Sequence, residues 1–235
     1  MDGLLLVDKP RGWTSFDVVA KVRGMLKHSG IAKPKVGHTG TLDPLATGLL
    51  VLVLGSYCKR AQEFSKLDKV YEVTMKLGET STTGDSEGTI TAYENAQVTK
   101  SVRPHDFCYF VEETLQKFVG EIWQTPPVYS AVKVGGQRAY KLARAGKEVK
   151  LEPRQVTIYK AQVTGYAYPE VKFTAHVSSG TYIRSLVEDL GTQLQTGAYM
   201  SDLRRTTIGQ FSLQDALPIA QLSAEAIYSR LLDQK

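Results

Sequence analysis

The sequence predicts one α+β domain. Short apolar or alternating runs bounded by turn residues recur along the chain, and a few stretches show the 3–4 spacing of a one-faced helix instead. No internal repeat, low-complexity tract or linker-like break interrupts them, and 235 residues suit one large domain or one domain with a small appendage. At this length roughly 70–75% of the unfolded surface can be buried, so a substantial core is expected.

Residues 4–7 read as a short buried strand ended by the turn-rich Asp8-Lys9-Pro10-Arg11-Gly12. A helix follows, with Thr14 as N-cap, Asp17 at its N3 position and Val18, Val19, Val22, Met25 and Leu26 on one face; Ser29-Gly30 stops it. Residues 37–48, with three glycines and one proline, read as a loop. Residues 49–54 form a continuous apolar run, as expected of a strand buried on both faces. Residues 70–77 alternate as a strand, and 80–88 form a polar loop. Residues 104–119 form a helix with Pro in its first turn and Phe107, Val111, Leu115 and Phe118 on one side. Two strands, 155–166 and 171–177, meet at Tyr168-Pro169. A helix over 181–194 carries Ile183, Leu186, Val187, Leu190 and Leu194 as its stripe. A last strand is expected at 206–213 and a terminal helix, capped by Ser223, at 223–232.

Hydrophobic residues make up 42% and charged residues 23% of a chain with net charge +5 and pI near 9.0. That composition is globular, with a mild lean toward polyanionic partners. The distribution is more pointed. Residues 124–154 carry Lys133, Arg138, Lys141, Arg144, Lys147, Lys150 and Arg154 against Glu148 and Glu152, a surplus equal to that of the whole protein. Charge alone allows two readings, a solvated face or a phosphate-binding edge. Two distant cysteines, Cys58 and Cys108, argue against a disulfide scaffold or a zinc site and fit a reducing cytoplasm. The first residues lack the pattern of a signal peptide and no apolar run is long enough to span a bilayer, so a soluble cytoplasmic protein is expected.

Familiar cofactor motifs fail. Gly37-His38-Thr39-Gly40-Thr41 lacks the lysine and spacing of a P-loop, no GxGxxG follows a strand, and His28, His38, His105 and His176 are scattered. No cofactor or metal is expected. What stands out is residues 37–48, where Asp43 precedes a proline that pushes its backbone toward extended geometry, with glycines nearby that let a ligand approach. Locally this is either a turn or a displayed carboxylate. Arg184 lies in the first turn of a helix, where a cation opposes the macrodipole at a cost of roughly 0.3–1 kcal/mol. Either it is solvated there or it is held for a carboxylate, whose ionised form an arginine within ~4–6 Å would favour.

Lys9-Pro10 after an apolar strand, the 37–48 loop, Pro126-Pro127-Val128-Tyr129-Ser130-Ala131-Val132-Lys133 with Tyr140 and Ala143-Arg144, and Gly180-Thr181-Tyr182-Ile183-Arg184-Ser185-Leu186 together resemble, in order and spacing, the motifs of the TruB family of pseudouridine synthases. The resemblance spans roughly residues 2–215. It implies the pseudouridine synthase fold, a central mixed or antiparallel sheet flanked by helices with an inserted RNA-binding thumb segment. It implies a catalytic domain over 1–215, with the basic insertion at 124–154, and a short tail over 216–235 in place of the C-terminal PUA module that many bacterial relatives carry.

The activity implied is isomerisation of uridine to pseudouridine in tRNA, at U55 of the TΨC loop, without cofactor, guide RNA or protein partner, by a monomer. By the same resemblance Asp43 is the nucleophile, Arg184 its paired arginine and Tyr71 the tyrosine that stacks on the uracil. His38 helps hold the flipped arrangement, Leu203 packs near the base, Asp85 joins the charge network, and Lys9 with Pro10 supports the catalytic loop. Lys133, Arg138, Lys141 and Arg144 would meet phosphates. Taken without the family, His38 reads as a loop histidine bonding backbone and Tyr71 as a core residue. Two rivals stand beside this reading: a guide-dependent synthase of the same fold, and a tRNA-folding chaperone that does not need turnover.

Overall fold

The computed structural model describes residues 1–94 and 104–233. Chain contacts divide it into two compact units, Met1–Tyr71 with Leu203–Lys235, and Glu72–Asp202.

The first unit opens with β1 (Gly3–Lys9) and α1 (Ser15–His28). The expected cap is present as a reciprocal box: Asp17 N donates to Thr14 Oγ1 at 3.1 Å, and Thr14 N donates to Asp17 Oδ2 at 2.8 Å. β2 (Val36–His38) and β3 (Thr47–Leu54) follow. β1 and β3 pair antiparallel, Lys9 opposite Gly48 and Gly3 opposite Leu54, while β2 pairs the far end of β3 through Val36–Leu54 and His38–Leu52. The expected loop over 37–48 is therefore shorter than its glycines suggest. Three residues too short for a pattern become a strand because β3 offers them a free edge.

The continuous apolar run of β3 is buried on both faces, with alternate residues facing different cores. Leu50, Leu52 and Leu54 join Leu5, Val7 and the α1 stripe; Leu49, Val51 and Val53 join Leu4, Leu6, Tyr57 and Phe64. A short α2 (Ala61–Ser65) supplies Phe64 before β4 (Lys69–Leu77), and the unit boundary falls within that strand.

In the second unit β5 (Glu79–Ser81) and β6 (Ile90–Ala92) form a hairpin whose connection takes up most of the polar loop expected over 80–88. α3 (Pro104–Gln116) has Phe107, Val111 and Leu115 buried. β7 (Gly120–Gln124), the small hairpin β8 (Lys133–Val134) with β9 (Gln137–Arg138), and α4 (Ala139–Arg144) make up the segment read as an insertion. β10 (Arg154–Ala167) and β11 (Glu170–Val177) form a long antiparallel pair, with β7 on the other edge of β10. Beyond β7 that edge is met by α3: Glu112 accepts from Val163 N at 2.7 Å, and Gln116 donates to Ala161 O at 2.7 Å. An edge that would otherwise offer free backbone groups is thereby covered.

α5 (Ile183–Gln193) buries the predicted stripe, and β12 (Ala198–Ile208) carries the chain back into the first unit at Leu203. This strand begins well before the expected residue 206. Its first residues, Ala198, Tyr199 and Met200, are all buried and show no alternation, and its interior Arg205 is only 1% exposed. β13 (Phe211–Ser212), β14 (Leu217–Pro218) and α6 (Ala224–Ser229), capped by Ser223, complete the first unit. Within it the strands run β14-β1-β3-β12, with β14 parallel to β1 and β12 parallel to β3. The sheet is mixed, one of the two forms that the resemblance implied. Leu217, Leu222 and Ile227 of the final segment lie in the α1-side core. Among the described residues no helix is long and apolar enough to cross a membrane.

Candidate active site

Asp43 sits half-buried between two anchors, Leu42 at 3% and Leu45 at 4% exposure, with Ala46 fully buried behind them. The two leucines point into the core, and Asp43 and Pro44 between them stay half-buried. What fixes the loop is a set of donors aimed at its carbonyls. Ser15 Oγ donates to Leu42 O at 3.1 Å and accepts from Leu42 N at 2.8 Å. Gly12 N donates to Pro44 O at 2.8 Å, and Lys9 Nζ reaches the same oxygen at 3.4 Å while binding Trp13 O at 2.6 Å and Pro10 O at 3.0 Å. Arg11 Nε donates to Leu45 O at 3.3 Å, and Arg205 binds Gly40 O at 3.1 Å and Leu49 O at 2.8 Å.

Lys9 is fully buried in this role, so its ammonium works as a backbone clamp. Gly48 closes the loop with φ +99°, and a Cβ there would lie 2.3 Å from Arg205 O, which admits only glycine.

The other candidates of this unit lie on three strands of its sheet. His38 ends β2 opposite Leu52, Tyr71 is buried on β4, and Leu203 begins the returning part of β12, its carbonyl accepting from Thr47 Oγ1 at 3.4 Å. Arg204 donates to Asp8 Oδ2 at 2.8 Å. Lys69 is buried with its ammonium on Ser65 O at 2.8 Å and on Leu67 O; burial, helped by the nearby Arg205, pushes its pKa down to about 8.

In the second unit Arg184 is 5% exposed at the start of α5. Its guanidinium donates to Thr83 O at 3.0 Å and Tyr129 O at 2.9 Å, and its Nε lies 3.7 Å from Asp85 Oδ2. Asp85 is itself 3% exposed, and its other carboxylate oxygen accepts from Thr83 Oγ1 at 2.6 Å and Glu87 N at 3.0 Å. The cation at the unfavourable end of its helix is thus held for a carboxylate, and Asp85 is one. Burial pushes Glu188, one turn further along α5, above the usual carboxylate range, with Arg184 pulling the other way.

Helix α5 has no side-chain cap of its own. Gln124, 2% exposed, supplies the contact from outside, accepting from Tyr182 N at 2.7 Å and donating to Tyr182 O at 3.0 Å; Ser185 Oγ binds Thr125 O at 3.0 Å. Sequence reasoning missed Gln124, Ser15 and Arg205. None belongs to a motif by type, and only Arg205, a charge inside an apolar strand, left a trace in the pattern.

Lys133, Arg138, Lys141 and Arg144 are exposed on β8, β9 and α4. Lys133 faces Arg138 across the hairpin, and the first three line a hollow of about 610 Å³. Like charges directly opposite destabilise a bare hairpin, so the arrangement suits a bound polyanion. Arg144 lies over the Tyr140 ring at 5.7 Å.

In one unit a half-buried carboxylate sits on a loop whose own carbonyls are taken, and in the other, cations gather on an exposed hairpin and helix, as suits contact with an anionic polymer. Comparison with known proteins narrows the class. A family model described as the N-terminal domain of TruB family pseudouridylate synthases matches residues 26–183, and one described as the tRNA pseudouridylate synthase B C-terminal domain matches 184–234. The chain belongs to the TruB family. Among its relatives, the tRNA pseudouridine synthase B of Clostridium kluyveri is 41% identical over 99% of this chain and 76% of its own length. That of Ectopseudomonas mendocina is 45% identical, over 95% and 69%. The Bacteroides fragilis protein is 43% identical, over 94% and 92%. A solved Cbf5-Nop10-Gar1 complex contains a chain superposing with TM-score 0.68 at 30% identity; the match takes in 94% of this chain and 53% of that one.

Proposed function

We propose that this chain isomerises uridine to pseudouridine in tRNA, at U55 of the TΨC loop, with Asp43 as nucleophile and without a guide RNA. The observation that supports the reading is the Asp43 loop itself: in the family-specific segment 37–48 Asp43 is half-buried between two buried leucines, and the backbone is clamped from several sides. The relatives named tRNA pseudouridine synthase B supply the substrate class.

The reaction breaks the C1′–N1 bond, turns the uracil and joins C1′ to C5; the C5 proton is lost and N1 gains one. No electrons are exchanged with an outside partner and no group donor is consumed. Asp43 serves either by attack on C6, by attack on C1′, or by assisting a glycal intermediate, and each route needs it ionised. Arg184 is its counter-cation, and Asp85, already beside Arg184, tunes that arginine. Tyr71 stacks on the uracil and assists removal of the C5 proton. His38 and Leu203 hold the target base out of the stack, a rearrangement that costs a few kcal/mol. Lys9 keeps the loop in place.

Residues 1–215 form the catalytic region and 124–154 the RNA-binding insertion, and residues 217–229 pack onto the first unit's sheet and core. Lys133, Arg138, Lys141 and Arg144 bind phosphates, so affinity falls steeply with salt, and recognition is of folded shape and splayed loop bases. The protein acts in the cytoplasm as a monomer.

Incubating the protein with an unmodified T-arm stem-loop and mapping pseudouridine tests the reading. Product at U55 without added RNA is the expected result. Binding without product would favour the chaperone role, and product only with a guide would favour the guided one.

A further inference from the structure

Far from Asp43, the first unit carries a second basic hollow, of about 600 Å³. Lys27 at the end of α1, Lys33 and Lys35 in the following loop, and Arg23 one turn back along α1 line it, over a floor that includes Val36 and Cys58, and no acidic residue is in its lining. The three lysines are exposed. Arg23 is held in position, donating to Val36 O at 3.1 Å with its guanidinium 5.8 Å from the Phe16 ring. Asp2, whose charge bears on Cys58 in the floor, accepts from Ser56 N and lies 3.6 Å from the N-terminal ammonium.

Two rulers in the fold give its distance from the chemistry. α1 runs from Ser15, bonded to Leu42 beside Asp43, to Lys27 at the hollow, a rise of roughly 18 Å over twelve residues. β3 runs from Gly48, at the closing end of the Asp43 loop, to Leu54, which pairs with Val36, roughly 20 Å over six residues. The two agree. A duplex rising about 3 Å per pair needs some six pairs to cover that span, more than a loop closed by about four pairs provides.

We propose that this hollow binds the sugar–phosphate backbone of the tRNA substrate beyond the loop and the first four or so pairs of the T arm, as an anchor remote from the reacting base. The proposal rests on the reading of the chain as a tRNA-modifying enzyme. Its cations come from a helix end and a loop and are spread over an open surface, which suits tracking a charged backbone. No deeply buried polar side chain lines the hollow to orient a small anion. The anchor adds affinity and orientation, and it adds nothing to the chemical step.

The test uses the triple variant Lys27→Gln, Lys33→Gln, Lys35→Gln with two RNAs: full-length unmodified tRNA, and a T-arm stem-loop trimmed to about four base pairs. For full-length tRNA, KM should rise about tenfold and the slope of log affinity against log salt should shrink by roughly two to three. With the trimmed stem-loop, kcat and KM should match those of the unaltered protein. Unchanged kinetics on both RNAs would overturn the proposal, and so would equal loss on both, which would place the lysines at the loop and first pairs of the T arm.

Lysine acetylation of the unaltered protein provides a readout independent of any variant's folding. Full-length tRNA should protect Lys27, Lys33 and Lys35, and the trimmed stem-loop should not. Protection by inorganic phosphate alone would make this a small-anion site and reject the anchor. If the unaltered protein forms no pseudouridine in either RNA, the functional reading fails, while the protection pattern and salt slope still judge whether the hollow binds RNA.

Discussion

The Asp43 loop and the Lys133–Arg144 segment answer opposite physical demands. Around Asp43 the flanking leucines are buried and the neighbouring carbonyls accept from Ser15, Gly12, Lys9, Arg11 and Arg205. Between Lys133 and Arg144 only Ala139 is buried, and the segment is tied to its surroundings by main-chain bonds such as Ala139 N to Val132 O at 2.7 Å and Tyr140 N to Ser130 O at 3.1 Å. A nucleophile displaced by an ångström loses orders of magnitude in rate. A phosphate contact tolerates such a shift, because charge attraction falls off gently with distance. The chain spends buried cations on holding one carboxylate still and exposed ones on a surface that can adjust.

Altering either side should expose this division. The largest effect is expected from Asp43→Asn, which should cut turnover on the order of 10³-fold or more while tRNA affinity stays within about threefold. Single-turnover assays beside filter binding would decide it, and near-normal product formation would remove Asp43 from the nucleophile role. Next in size comes Arg184→Lys. A lysine cannot donate at once to Thr83 O and Tyr129 O and face Asp85, so kcat should fall about a hundredfold; a change of less than threefold would show that the planar fork is dispensable.

Neutralising Lys133, Arg138, Lys141 and Arg144 to Gln together should act on binding alone. We expect tRNA affinity to drop roughly 10- to 100-fold and the salt slope to shrink by about three to four, with kcat on saturating tRNA unchanged. A fall in kcat would mean the segment also shapes the active site. The smallest effect tests the clamp: Lys9→Met should lower stability by about 1–3 kcal/mol and kcat by about tenfold with little change in KM. Denaturant titration and steady-state kinetics would measure both, and full kcat in a destabilised variant would reduce Lys9 to a folding role.

Much of this was legible without coordinates. The apolar run at 49–54, the Thr14–Asp17 box and the stripes of the helices at 104–116 and 183–193 follow from short-range periodicity, which survives in any one sequence. So did the oddity of Arg184 at a helix start. The early part of β12 was hidden because Ala198, Tyr199 and Met200 are all buried and show no alternation, and β2 because three residues carry no period. Gln124 was hidden because a side chain that caps a helix 58 residues away has no local signature.

For Asp43, the chain itself determined a carboxylate before proline in a glycine-bearing segment, and with it a motif specific enough to suggest a family. It left open whether that segment was a turn or a displayed nucleophile. Tertiary structure decided what surrounds it: Leu42 and Leu45 pull inward, while Lys9, Ser15 and Arg205, drawn from β1, α1 and β12, converge on its carbonyls. The reason is physical. Periodicity is written in neighbours along the chain, whereas satisfying buried carbonyls depends on donors that only folding brings within 3 Å or so.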